Sequence, residues 1–160
     1  MRLRPFRAAD LDTLYQIDQV CFPPGVSYSR EELEDFIRDQ DSVTWVAESG
    51  ADLVGFLVAN QETPHAAHII TIDVMEAWRR QGVGRALMDA AEAWAGVQDL
   101  PLVYLETAVD NTVAQRFYES RGYERYQRVE NYYHSGAAAW VMVKRLKRES
   151  APAARGRASS

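Results

Sequence analysis

The segment Arg79-Arg80-Gln81-Gly82-Val83-Gly84-Arg85-Ala86-Leu87 leaves one strand-like run and opens a helix. The run before it, His68 to Val74, is Ile-rich, and the helix-like run extends from about Gly84 to Trp94. A second strand-like run at Leu102 to Glu106 completes a strand–helix–strand crossover, which places both strands in one sheet. The glycines suit a tight turn with positive φ. They also let backbone N–H groups approach an anion at a helix end whose dipole favours negative charge. Arg79, Arg80 and Arg85 add fixed positive charge, and a guanidinium grips phosphate with two donors.

The elements around this turn follow from local signals. Asp10 is placed to cap a first helix carrying Leu11, Leu14, Tyr15 and Ile17, which Pro23-Pro24-Gly25 ends. Ser29 with Glu32 reads as a capping box for a second helix with Leu33, Phe36 and Ile37 on one stripe. Val43 to Glu48 and Leu53 to Asn60 are rich in β-formers and flank Gly50-Ala51-Asp52, which predicts a hairpin. Past the crossover, a helix from about Asn111 to Arg121 stops at Gly122, and strands follow near Tyr123 to Val129 and Ala139 to Leu146. The fold class expected is α/β (α+β): a mixed, mostly antiparallel sheet of about seven strands flanked by about four helices. Residues 1–147 form one domain, and 148–160, rich in Ala, Ser and Arg, are expected to be a flexible tail.

A net charge of −5 argues against a nucleic-acid partner, and no apolar stretch reaches the length of a membrane span. Met1 to Phe6 lack a secretory apolar core, so a cytoplasmic protein is expected. The single Cys21 excludes an intrachain disulfide and has no acid, base or second thiol close in sequence, so no acyl-cysteine is expected. His65 and His68 lack further clustered ligands, so no metal is expected. For the glycine turn itself, a P-loop fails because no lysine is near. A dinucleotide fingerprint lacks its third glycine, where Leu87 stands, although Glu106 ends the next strand at a distance that suits a ribose.

The remaining pattern, Arg79-x-x-Gly82-x-Gly84, resembles the acyl-CoA pyrophosphate signature of the GNAT N-acetyltransferases. The resemblance runs from Leu3 to Leu146 and is nearest the RimI-type branch, which acetylates N-terminal α-amines. It is carried by Arg79 to Leu87, Leu105-Glu106 followed by Asn111, Phe117 to Tyr123, and Asn131-Tyr132-Tyr133. It implies acetyl-CoA as cosubstrate. Backbone groups of Ile72, Asp73 and Val74 would pair with the pantetheine arm, which enters where the fourth and fifth strands splay. Arg79, Arg80, Gln81, Gly82, Val83, Gly84 and Arg85 would hold the pyrophosphate, and Asn111 would contact the arm.

The resemblance also implies chemistry. Glu106 matches the general base and Tyr118 the donor to the departing thiolate. His68 departs from relatives that carry a tyrosine there, some with a histidine where Glu106 lies, so His68 is a candidate to share the base role. Phe22, Pro23, Val26 and Tyr28 resemble the first-loop residues lining a peptide N-terminus, with Tyr132 and Tyr133 opposite. An α-amine, with a pKa of about 7.7–8.0 against about 10.4 for lysine, needs only light help from a base near neutral pH. The acceptor expected is a protein or peptide N-terminus. A small-molecule amine or a lysine is the alternative, with a non-catalytic acyl-CoA-binding module or a nucleotide-binding oxidoreductase as outsiders. A monomer and a homodimer both remain open.

Overall fold

The computed structural model describes residues 1–146. The chain runs β1 (Arg2–Pro5), α1 (Leu11–Cys21), α2 (Arg30–Arg38), β2 (Ser42–Ser49), β3 (Asp52–Thr63) and β4 (Ala66–Val74). It continues through α3 (Val83–Val97), β5 (Leu102–Ala108), α4 (Thr112–Ser120), β6 (Glu124–Val129) and β7 (Ala139–Arg145). Single 3-10 turns occupy Ala8–Asp10 and Glu76–Trp78. The strands form one seven-stranded sheet in the order β1-β2-β3-β4-β5-β7-β6. Among the described residues only β4 and β5, joined by the α3 crossover, are parallel; every other neighbour pair is antiparallel.

Two apolar layers hold the helices to opposite faces of the sheet. On one, Val83, Leu87, Met88, Ala91 and Ala95 of α3 recur at helical spacing and meet Leu57, Val103 and Leu105. On the other, Leu14 and Ile17 of α1 and Leu33 of α2 close over Val46, Phe56 and Val58. Phe56 and Leu33 are fully buried. The capping box forms as expected: Glu32 N–H donates to Ser29 Oγ, and Ser29 N–H donates to Glu32 Oε1.

Three details differ from the sequence reading. Asp10 does not cap α1 through its side chain. Its carboxylate accepts two hydrogen bonds of 2.9 Å from the Arg4 guanidinium and one from Arg7 N–H. A charged fork outcompetes a lone helix N–H as partner, and it holds the Asp10 carboxyl below its ordinary range. Second, the sheet begins earlier than expected. Arg2–Pro5 pairs with β2 on the edge, where Pro5 lacks only a donor that an edge strand can spare. Third, the crossover helix runs on to Val97, and β5 continues past Glu106 to Ala108. The tail expected over 148–160 lies outside the described residues.

Candidate active site

The β4–β5 ladder is short. Ala66 to Ile69 pair with Leu102 to Leu105, and beyond Ile69 no residue of β4 pairs with β5. Glu106 is therefore the first β5 residue past the split, held from its other side by Val141 of β7. The far part of β4, Ile70 to Val74, is left with an edge that no strand covers among the described residues. Ile72, Asp73 and Val74 lie on this edge.

A bulge sets which way those residues look. Val58 pairs with Thr71 but Ala59 with Ile69, so Ile70 is an extra residue in β4. Before it, Ala67 and Ile69 pack toward α3; after it, Ile72 and Val74 do. Asp73 consequently points at α1, where it meets Asp18. Both are buried, at 1 % and 0 % exposure. As two carboxylates they would leave Asp18 Oδ1 and Asp73 Oδ2 without partners. One shared proton satisfies both, and burial beside Asp18 pushes Asp73 well up from its ordinary value.

At the split, His68 and Glu106 share one face. His68 Nε2 lies 2.6 Å from Glu106 Oε1, and its Nδ1 lies 2.9 Å from Glu62 Oε1. The imidazole lies flat on Tyr104, with centroids 4.3 Å apart and planes 4° apart. Tyr104 in turn donates to Glu62 Oε2 at 2.9 Å. Burial alone would lower the His68 pKa, but the hydrogen bonds and charges of Glu106 and Glu62 outweigh it, and the net direction is up. Glu62 and Tyr104 escaped the sequence reading. Tyr104, two positions before Glu106 on a strand, carries the signal of a shared face. Glu62 carries none, because a register slip between Asn60 and Thr63 brings it to His68.

Two loops converge on the same face. The α1–α2 loop supplies Tyr28, whose N–H donates to Asp18 and whose hydroxyl donates to Ile70 O, the bulge carbonyl, at 3.2 Å. The β6–β7 loop supplies Tyr132 and Tyr133, packed edge-on at 4.9 Å. Burial raises the pKa of all three phenols, and the charge of Glu106 raises each further. The loops are tied together where Ser135 N–H donates to Gly25 O. A Cβ at Gly25 would sit 2.8 Å from that of Ser135, so only glycine allows the approach. Val26 lies within the first loop and Pro23 at its exposed rim, and Phe22, half-buried, closes α1 through its N–H on Asp18 O.

Tyr118 reaches the split from the opposite layer. It is 7 % exposed and packs between Phe117 and Tyr123. Burial raises its pKa, and the charges of Asp73 and Tyr133 push it the same way. Cys21 Sγ lies 3.5 Å from Val74 O, and burial pushes its thiol up to about 11, far from a nucleophilic thiolate.

The glycine turn is open. Gly82 takes φ +85 and Arg80 φ +63, and no side chain caps α3. The N–H groups of Val83, Gly84 and Arg85 precede the first helical hydrogen bond, Ala86 N–H to Gly82 O, and so lie at the helix end with no partner among the described residues. Val83 anchors the turn in the core, and Gly84 fits against the Phe117 ring. Arg80 and Arg85 make no ion pair among the described residues, whereas the Arg79 side chain is turned back onto Val74 O and Gln81 onto Ala77 O. Asn111 is the N-cap of α4, accepting from Ala114 N–H.

A sheet that opens beside an uncapped helix terminus offers a strand-free edge next to N–H donors, a place for an extended ligand with an anionic tail. The chain belongs to the Acetyltransferase (GNAT) family, whose sequence model matches residues 11–123. An N-alpha-acetyltransferase of Sulfurisphaera tokodaii is 27 % identical over 154 residues, covering 89 % of this chain and 91 % of that one. The crystal structure of Ard1 from Thermoplasma volcanium aligns with a TM-score of 0.83 at 29 % identity, over 92 % of this chain and 98 % of the other. The ribosomal-protein-S18-alanine N-acetyltransferase from Escherichia coli shares the fold, with a TM-score of 0.80 at 21 % identity over 93 % and 97 % of the two chains. Among the described residues no helix is long and apolar enough to cross a membrane, and no three His, Cys, Asp or Glu side chains cluster as metal ligands.

Proposed function

We propose that this chain transfers the acetyl group of acetyl-CoA to the N-terminal α-amine of a protein or peptide. One observation carries the reading: Glu106 is the first residue past the β4–β5 split, between the uncovered β4 edge and the tyrosine-lined loops. A carboxylate there stands between a place for a thioester and a place for an amine. The N-alpha-acetyltransferase relative supports the choice of acceptor.

Acetyl-CoA supplies the activated acyl group and a thiolate leaving group. The N–H groups of Val83, Gly84 and Arg85, with the Arg80 and Arg85 guanidinium groups, suit its pyrophosphate. The strand-free edge of β4 at Ile72 to Val74 can pair with its amide-bearing arm as a strand would, Val74 O becoming free once the Arg79 guanidinium turns from it to the pyrophosphate, and Asn111 at the start of α4 would contact the arm. Glu106 takes a proton from the ammonium so that a neutral nitrogen attacks. Tyr118, kept neutral by burial, offers its hydroxyl hydrogen to the sulfur as negative charge develops. Tyr28, Tyr132 and Tyr133 form the acceptor walls.

Tyr118→Phe is expected to lower kcat by about ten- to a hundredfold with acetyl-CoA affinity unchanged, measured by steady-state turnover and by calorimetric titration of acetyl-CoA. An unaltered kcat removes Tyr118 from the chemistry. The acceptor assignment is tested by acetyl-CoA turnover on matched peptides with free and blocked α-amines, each carrying a lysine. Turnover on the free α-amine set supports the reading. Acetylation of the lysine in blocked peptides, or of small amines alone, overturns it.

A further inference from the structure

Acetyl transfer needs one proton acceptor, yet Glu106 is the inner end of a polar chain that runs to the surface. The side chains of Glu106 and His68 are each 13 % exposed, and that of Glu62 is 46 % exposed. Each imidazole nitrogen has its own carboxylate, at 2.6 Å and 2.9 Å. A nitrogen and a carboxylate oxygen 2.6 Å apart need a proton between them, since two lone pairs at that distance repel. On the other side, Glu62 accepts a hydrogen bond from Tyr104, so its carboxylate is aimed at Nδ1. A carboxylate facing Nδ1 selects the tautomer with hydrogen there and leaves Nε2 as the acceptor.

We infer that Glu62 is a positioning residue for catalysis: acting through His68, it makes Glu106 and His68 work as a single base. The inference rests on the assignment of Glu106 as proton acceptor given above. In the working form the shared proton is gone. Glu106 is a carboxylate and His68 is neutral with its Nδ1–H donated to Glu62, so two lone pairs face each other between Nε2 and Oε1, and the relief of that repulsion is what draws a proton onto the pair. The acceptor ammonium breaks one N–H bond, and that proton settles between Glu106 and His68 Nε2. The freed lone pair forms the C–N bond and the C–S bond breaks. Of the two protons that nitrogen loses, one ends on the thiol and the other leaves the Glu106–His68 pair for water before the next turnover.

Few other groups can titrate against this pair. Tyr28 faces it from the α1–α2 loop, Tyr132 and Tyr133 from the β6–β7 loop and Tyr104 from β5, while Asp39, after α2, faces Glu62. The phenols are all raised and stay neutral through the assay range. The raised imidazole of His68 is thus left to set the acid limb of the rate profile. Its working form appears as pH rises through its pKa, so a lower pKa moves the limb to lower pH.

The test pairs the pH profile of kcat/KM with an NMR titration of the His68 ring in the free protein, for the wild type, Glu62→Gln and Glu62→Ala. In the wild type, limb and titration coincide above the ordinary imidazole value of about 6.5. In both variants they move down together by about one pH unit. The kcat falls about tenfold as the base weakens, and acetyl-CoA affinity is unchanged. A lowered kcat with the limb and the titration unmoved leaves Glu62 a merely structural role and overturns the inference, as does a variant indistinguishable from the wild type. If the wild type acetylates no α-amine, the proposed function fails. The ring titration then still decides, without substrate, whether Glu62 governs His68.

Discussion

Replacing Glu106 by Gln is expected to lower kcat/KM for an α-amine acceptor by about 10²- to 10⁴-fold near neutral pH. The amide keeps the size and planarity of the carboxyl, so the walls formed by Tyr28, Tyr132 and Tyr133 stay in place, but it accepts no proton. The cosubstrate side lies elsewhere, on the Gly82 turn and the β4 edge, so acetyl-CoA binding is expected to hold. The pH dependence gives a second check. Above the α-amine value of about 8 the acceptor arrives as free base, and the deficit of the variant shrinks. Stopped-flow or coupled thiol-release assays across pH measure both. Near-wild-type turnover at neutral pH would place the base elsewhere.

Phe56→Ala is expected to cost about 3–5 kcal/mol of stability, as large aromatic truncations in packed cores do. Phe56 has no exposure and lies in the layer that Leu14, Ile17 and Leu33 close. Its loss opens a cavity directly beneath α1 and α2, the two helices that carry the Tyr28 loop. The effect therefore reaches function: α1 and α2 loosen on β3, while the Gly82 turn on the opposite layer is spared. Urea denaturation reads the stability. Acetyl-CoA affinity kept and acceptor KM raised is the expected pattern, and equal damage to both would show that the layers are not separable.

What the residues disclose without a structure is what is local. The capping box at Ser29 and Glu32, the hairpin at Gly50 and the crossover through Gly82 and Gly84 each depend on neighbours in the chain, and each forms. The shortest strand, Arg2–Pro5, is concealed because four residues ending in proline carry little β signal of their own. Asp10 misleads because a helix start was visible nearby and the Arg4 fork that claims it was not. At the site, Glu106 and Tyr118 could be singled out from motif and order. The contacts of His68 with Glu62 across 6 positions and with Glu106 across 38 exist only once β3, β4 and β5 are laid side by side. The raised Asp73 carboxyl is hidden for the same reason: nothing in the sequence shows that folding buries it beside Asp18.

The surplus residue at Ile70 works as a frame shift within β4. A strand counts its side chains in twos, and the count restarts there. Had it been skipped, Asp73 would be dealt into the oily layer under α3, and Ile72 would fall opposite Asp18. One unpaired position thus lets a single strand serve two masters, odd-numbered apolar anchors at one end and even-numbered ones at the other. Lengthening or shortening β4 by a residue before Asp73 would exchange those roles while leaving every other side chain of the strand the same.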